Sequence, residues 1–238
     1  MALQQIELEV PTTLSDIKLW QYQKYMNIIE KNKMDDAEDK EKLNDFLNMK
    51  LVEIFCNVSL RDVVKIPLKE YNKVLEVINK AFEEKPDIIQ RFKLLDADMG
   101  FIPKLDDITL GEYVDIETNI TDWQKMHKAM AVLYRPINFK AKDKYGIVDY
   151  KVNEDIQEAM KDMPLDVAIS SMVFFYSLGK ELLGAIPKYL EQNLKKQDMQ
   201  MLNNHLEKNG DGINQFMHSL KEMSEASMQL PNFHSTSV

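Results

Sequence analysis

The sequence predicts a mainly α fold with a small β component (α+β): a helical core, a short hairpin and a C-terminal helical tail. Three observations carry this. Between residues 67 and 84, Leu68, Tyr71, Leu75, Ile78 and Phe82 recur three and four apart, the spacing of one face of an amphipathic helix. Two capping patterns, Thr109 with Glu112 and Thr121 with Gln124, lie 12 residues apart, and each pairs a threonine acceptor with a side chain that reaches back. Ile137–Phe139 and Tyr145–Tyr150 flank the polar run Lys140–Lys144, the pattern of two strands around a loop.

Taken in order, residues 5–10 alternate apolar and polar side chains up to Pro11 and read as a short strand. From Ser15 to Glu30, Leu19, Tyr22, Met26 and Ile29 fall at helical spacing. The polar run 31–42 reads as a loop or an exposed helix start. Leu43, Phe46, Leu47, Leu51, Ile54 and Phe55 then share one helix face. Ser59–Asp62 suits a helix start, and Pro67 suits the first turn of the helix at 67–84. Residues 88–95 and 100–103 read as two short extended segments about an acidic turn. The two capping boxes predict a short helix near 110–118 and a second one ending at Tyr134-Arg135-Pro136, because the residue before proline is pushed out of the helical region.

Asn153 can cap a helix running to about residue 162. Pro164 can open the most apolar helix of the chain, with Val167, Met172, Phe175, Leu178, Leu182 and Leu183 mostly inside. Pro187 divides it from a polar helix near 188–207. Gly210-Asp211-Gly212 is a loop, and Ile213, Phe216, Met217 and Leu220 suggest a last amphipathic helix before a loose end from about residue 224. The expected division is a predominantly helical core over 1–187 and an exposed helical tail over 188–238.

Composition narrows the class. The chain has 238 residues, 45% of them apolar and 29% charged, enough for a substantial core and too apolar for a disordered chain. One cysteine, Cys56, excludes a disulfide scaffold and a cysteine-based zinc site, and suits a reducing, intracellular setting. Net charge is −9, with lysines interleaved among acids and only Arg61, Arg91 and Arg135 as arginines. A nucleic-acid binder usually carries a basic stripe with arginine for bidentate contacts, so no direct nucleic-acid contact is expected. The longest apolar window, residues 167–179, is 13 residues long, short of the ~20 a membrane-spanning helix needs. The N-terminus has no basic and apolar signal pattern. A soluble protein without a membrane role is expected.

The residues that carry chemistry are scattered. His127, His205, His218 and His234 form no metal pair one helical turn apart, and no metal site is expected. His127 and Asp122 are five apart, an awkward separation for a base and its orienting acid on one helix. Asn209-Gly210-Asp211-Gly212 would start a calcium loop, but its twelfth position is His218 in place of a bidentate acid. No phosphate-binding glycine motif is present. No catalytic residue and no cofactor are expected. Methionine is abundant, with 15 residues, many of them late in the chain, and Met-bearing helices repack readily against varied partners.

The stretch from Phe101 to Asp115 holds the pattern D-x-T-L-G-E-Y-x-D. The stretch Trp123–Ile137 holds H-K-x-M-A-x-L-Y-R-P-I, and Tyr145–Tyr150 holds Y-x-I-x-x-Y. Together with Asp16–Tyr25 and Phe55–Val63, these resemble proteins of tailed bacteriophages over roughly residues 14–185. The group consists of virion or particle-assembly components, some similar to tail assembly chaperones. The resemblance implies a non-enzymatic protein located in the virion, or in the host cytoplasm during particle assembly, whose partners are other phage structural proteins. A tail assembly chaperone absent from the mature particle and a phage-encoded host-interaction factor are the alternatives. The expected contact residues are Trp123, His127, Met130 and Tyr134 on one helix, and Phe216 and Met217 in the tail.

Overall fold

In the computed structural model, which describes residues 8–32, 40–142 and 144–177 together with 218 and 221–223, the chain begins with a clasp. Leu8–Val10 form no strand. Leu8 and Val10 are half-buried and Glu9 is exposed, so the alternation marks packing at these three positions; residues 5–7 of the expected strand lie outside the described residues. A 3-10 turn at Leu14–Asp16 leads to Lys18, which bridges Pro164. Leu19 N–H donates to Met163 O at 2.9 Å, and Leu165 N–H donates to Ile17 O at 2.8 Å. Helix α1 (Leu19–Lys31) therefore starts tied to helix α8 (165–177), far along the sequence. Ion pairing of Lys18 with Asp162 at 2.9 Å and the Ser15–Asp166 hydrogen bond reinforce the clasp.

Helix α2 (Lys40–Phe55) ends in a left-handed cap. Asn57 has φ 50°, and Val58 N–H reaches back to Glu53 O at 3.1 Å, closing the last turn as a helix C-cap requires. The short helix α3 (Leu60–Val63) follows Ser59, and α4 (Leu68–Ala81) starts after Pro67, as expected. The inward face of α4 is rotated from the predicted one. Val74, Ile78, Ala81 and Phe82 are buried, and Leu68 is 68% exposed. Rings then lock these helices together: Tyr22 lies 6.0 Å from Phe82 and 4.6 Å from Trp123, while Phe55 lies 5.5 Å from Tyr25 and 5.9 Å from Phe82.

Four antiparallel strands form one meander, β1 (Arg91–Leu94), β2 (Ala97–Phe101), β3 (Tyr134–Ala141) and β4 (Lys144–Ile147). The β1–β2 turn is Leu95-Asp96, with Leu95 left-handed at φ 51°. Between β2 and β3 the chain inserts α5 (Leu110–Ile120) and α6 (Met126–Leu133). Helix α6 ends at Leu133 with Tyr134 as its extended cap, as expected from the proline that follows, and the same residues Tyr134–Pro136 begin β3. Pro136 sits opposite Met99 and offers the sheet only its carbonyl, which accepts from Val148 N–H at 3.1 Å. After β4, Asn153 caps α7 (Glu154–Ala159), accepting from Ile156 N–H at 3.1 Å, and a 3-10 turn at Met160–Asp162 leads into α8. The architecture is mainly helical α+β. Of the segment beyond residue 187 only residues 218 and 221–223 are described, and they are helical; the rest of the expected helices lies outside the described residues.

One side of the sheet packs on α8 through Phe101, Tyr134 and Phe174, whose rings meet at 5.2 and 5.8 Å. On the other side Tyr145 crosses the sheet and closes over Gly100, its hydroxyl donating to Phe101 O at 2.8 Å. A Cβ at Gly100 would stand 2.6 Å from the Tyr145 ring and 2.9 Å from Ile137, whereas one at Gly111 meets nothing within 4 Å. Gly100→Ala is accordingly expected to destabilise the fold by about 1–3 kcal/mol, the usual cost of overpacking. Gly111→Ala, in the open first turn of α5, is expected to stabilise it by up to about 1 kcal/mol. Urea unfolding of the two variants checks both signs.

Candidate functional site

The stretch expected to carry partner contacts is the centre of the core. Trp123, His127, Met130 and Tyr134 are 7%, 4%, 0% and 0% exposed. The structure thus corrects the expectation that this helix docks onto a partner: every residue of α6 except Lys128 is buried, so no face remains to offer. The apolar periodicity of this stretch reflects burial on all sides. Phe216 and Met217 lie outside the described residues.

A buried helix must find partners for its polar groups, and neighbouring elements supply them. The Gln23 amide donates to Trp123 O at 2.7 Å, and the Gln124 amide donates to Gln23 O at 2.8 Å. Gln124 is thus spent on α1 and does not complete a capping box. Thr121 instead ends α5, which overturns the second predicted box. At the far end the Tyr134 hydroxyl donates to Ile89 O at 2.6 Å and meets the Ser171 hydroxyl at 2.8 Å.

His127 shows what this packing does to a titratable group. Its Nδ1 lies 3.2 Å from the Gln23 amide nitrogen, whose orientation is set by the bond to Trp123 O. Nδ1 therefore accepts, which assigns the proton of the neutral ring to Nε2. That nitrogen lies 3.8 Å from Glu158. Burial, followed by the Lys161 charge, holds the imidazole below its ordinary value of 6.5; Glu158 opposes this and Lys128 adds to it, both by less. Protonating Nδ1 would also point one N–H at another. This geometry keeps a neutral core histidine and serves no base, since Asp122 instead accepts from Gln124 N–H.

Of the four expected contact residues, Trp123 borders an opening. A cleft of about 580 Å³ is lined by Met26, Ile29 and Glu30 of α1, by Thr121, Asp122, Trp123 and Gln124, and by Glu222 and Met223 from the C-terminal segment. The Trp123 indole N–H is buried and has no acceptor among the described residues. Sequence reasoning placed Met26 and Ile29 on the inner face of their helix but gave no sign that they form a wall with Trp123. Met223 fell near the expected loose end.

A second cleft, of about 370 Å³, opens where α5 meets the sheet and is lined in part by Lys104, Asp107, Glu112, Arg135 and Asp149. Its wall holds a buried ion pair, Arg135 Nη2 to Glu112 Oε1 at 2.9 Å, with side chains 11% and 5% exposed. The other Glu112 oxygen accepts from the Thr109 N–H and hydroxyl, each at 2.7 Å. Burial alone would raise the Glu112 carboxyl. The Thr109 donors and the Arg135 charge outweigh it and hold the group below its ordinary 4.5. The guanidinium lies 6.0 Å from the Tyr150 ring, and the Tyr150 hydroxyl donates to Asp115 at 2.6 Å. The predicted Thr109 capping box is present, and the same carboxylate also anchors α5 to β3.

Elsewhere the chemistry is quiet. Ser170 and Ser171 both donate to Val167 O. Burial pushes the Cys56 thiol up to about 11, away from the thiolate a nucleophile needs. Among the described residues no group of three or more His, Cys, Asp or Glu side chains could hold a metal ion, and no helix is long and apolar enough to cross a membrane. The chain matches no protein-family model, and no curated protein or solved structure is significantly similar to it.

Two outcomes follow from these polar groups. His127 is neutral in the fold and ordinary when unfolded, so its contribution is intact above about pH 6.5 and is lost as pH falls through the lowered folded value. Urea unfolding is expected to weaken progressively below pH 6.5, with His127→Gln flattening that slope; the Glu112 contribution is lost only below about pH 4.5. Arg135→Met is expected to cost about 3 kcal/mol, the lower end for removing one partner of a buried ion pair, because Thr109 still holds Glu112. Thermal or urea unfolding reads it.

Proposed function

We propose that this chain works by protein–protein contact, as a non-enzymatic component of a tailed-phage particle or of its assembly. The observation that carries the reading lies on α5. Leu110, Tyr113 and Val114 are 79%, 51% and 48% exposed and fall at i, i+3 and i+4, a continuous apolar stripe on one helix face. The opposite face is anchored by buried Glu112, Ile116 and Ile120. A rigidly held helix with an open apolar stripe suits docking against another protein.

This stripe falls within the D-x-T-L-G-E-Y-x-D stretch that resembles tailed-phage proteins. Within it, Thr109 and Glu112 cap the helix, Glu112 pairs with Arg135, and Asp115 holds Tyr150. Leu110 and Tyr113 have no comparable task inside the fold. The acidic net charge of −9 directs such a surface to proteins and away from DNA. Among the described residues no nucleophile and base converge at either cleft.

Co-expression with the structural proteins of its phage, followed by size-exclusion chromatography, is expected to yield a complex. Tyr113→Asp is expected to weaken that complex at least about tenfold, the range of a contact residue worth more than 1 kcal/mol, with unchanged thermal stability. A chain that stays monomeric with all of them would remove the reading. Mass spectrometry of purified particles separates a virion component, present at integer copies, from an assembly chaperone, which is absent.

A further inference from the structure

We propose that the α5 stripe of one molecule docks on the basic β3–β4 hairpin of a second copy, joining like molecules head to tail. This inference rests on the reading of α5 as a contact surface and names its occupant. From Leu105 to Gln124 the chain carries six acids and no basic residue. Within the fold Glu112 meets Arg135, Asp107 meets Lys104, Asp122 meets Lys125, and Asp115 accepts from Tyr150. Glu117 has no ion-pair partner among the described residues. It stands four positions after Tyr113 and three after Val114, which puts a negative charge beside the apolar stripe. Burial, and then this charge, raise the Tyr113 hydroxyl above its ordinary value.

The hairpin presents the opposite sign. Phe139 is 61% exposed, and Lys140, Lys142 and Lys144 follow it, all exposed. Lys140 is held by Asp98, whereas Lys142 and Lys144 have no ion-pair partner among the described residues. Asp143 lies outside the described residues. Pairing of Met99 with Pro136 brings the β1–β2 turn to the same end of the sheet, which adds exposed Leu95 and Lys93 and one further acid, Asp96. An aromatic anchor with charge around it has the composition of an interface core and its rim.

Charge decides which surfaces pair. Contact of α5 with α5 would set Glu117 against its own copy, and hairpin with hairpin would set lysines together. Only α5 on hairpin brings opposite charges and apolar anchors into register, and like-charge contact is strongly disfavoured. Both surfaces are exposed, so they do not cover each other within one chain. β1 and β4 are the sheet edges, and lysine on an edge opposes addition of a further strand. The contact is therefore made by side chains. Its two faces differ, so it is heterologous: each molecule keeps one surface of each kind, and association continues into a ring or an open chain.

The test uses the purified full chain alone, by sedimentation velocity over a range of concentrations. Its mean mass is expected to rise with concentration and to fall back when salt is raised from about 50 mM to about 500 mM, because salt screens exposed charges. Glu117→Lys, and separately Lys142→Glu with Lys144→Glu, are each expected to weaken association at least about tenfold, with unchanged far-ultraviolet circular dichroism. The chain carrying all three reversals is expected to recover it, as is an equal mixture of the two reversed chains. Should a reversed chain fail to fold, the milder Glu117→Gln and Lys142→Gln are expected to weaken association in the same direction. A chain that is monomeric up to about 1 mM would overturn the proposal and leave the lysines as edge protection alone. Association that the combined reversals fail to recover would overturn it as well. A monomeric pure chain that still forms a Tyr113-dependent complex with other phage proteins would overturn this inference and leave the contact reading of α5 standing.

Discussion

Burial of α6 and of Trp123 and Tyr134 at its two ends is the constraint on which the rest of this structure depends. A helix without a solvent face cannot leave its end groups to water, so each needs a partner from another element. Gln23 on α1 serves the start, bonding to Trp123 O and His127. Tyr134 closes the other end by reaching Ile89 before β1 and Ser171 on α8. These bonds tie segments more than a hundred residues apart to one axis. They also explain why α6 passes into β3 without a loop. Tyr134 must sit within hydrogen-bond reach of α8 while its neighbour Arg135 turns to the opposite side of the sheet to meet Glu112.

Glu112 shows how a single side chain can couple local and long-range order. As the third residue of α5 it completes a capping box with Thr109, an interaction the chain can make locally. Its second oxygen then fixes α5 against β3 through Arg135. An ion pair this buried adds little net stability over an apolar pair, because both charges lose their hydration. It does fix orientation: a planar guanidinium donates to the carboxylate in few geometries. The orientation thus imposed leaves Leu110, Tyr113 and Val114 facing solvent.

What could be read from the sequence follows from whether the cause was local. The face of α2, the existence and start of α4, the Thr109 cap and the Asn153 cap all depend on residues within four positions of each other and were legible; which face of α4 turns inward depends on distant packing and was not. The Thr121–Gln124 pattern was equally local in form, yet Gln124 bonds to Gln23, a partner no local pattern reveals. Over Leu8–Val10 the N-terminal alternation follows burial and not strand pairing. Leu95 offered no turn signal, because a left-handed leucine is disfavoured by its own Cβ and is held there by the β1–β2 ladder on either side. For the site the lesson is sharper. Trp123, His127, Met130 and Tyr134 were conspicuous because they are large and periodic, and those same properties take them into the core.

Two surfaces remain, and they differ in kind. The stripe on α5 is open, short and rigidly mounted, so it can meet a partner without rearrangement and without conformational cost. The cleft at Trp123 is bordered by α1, the α5–α6 connection and Met223, so its shape is set by segments far apart in the sequence, whereas the stripe on α5 is set by one helix and the ion pair that orients it.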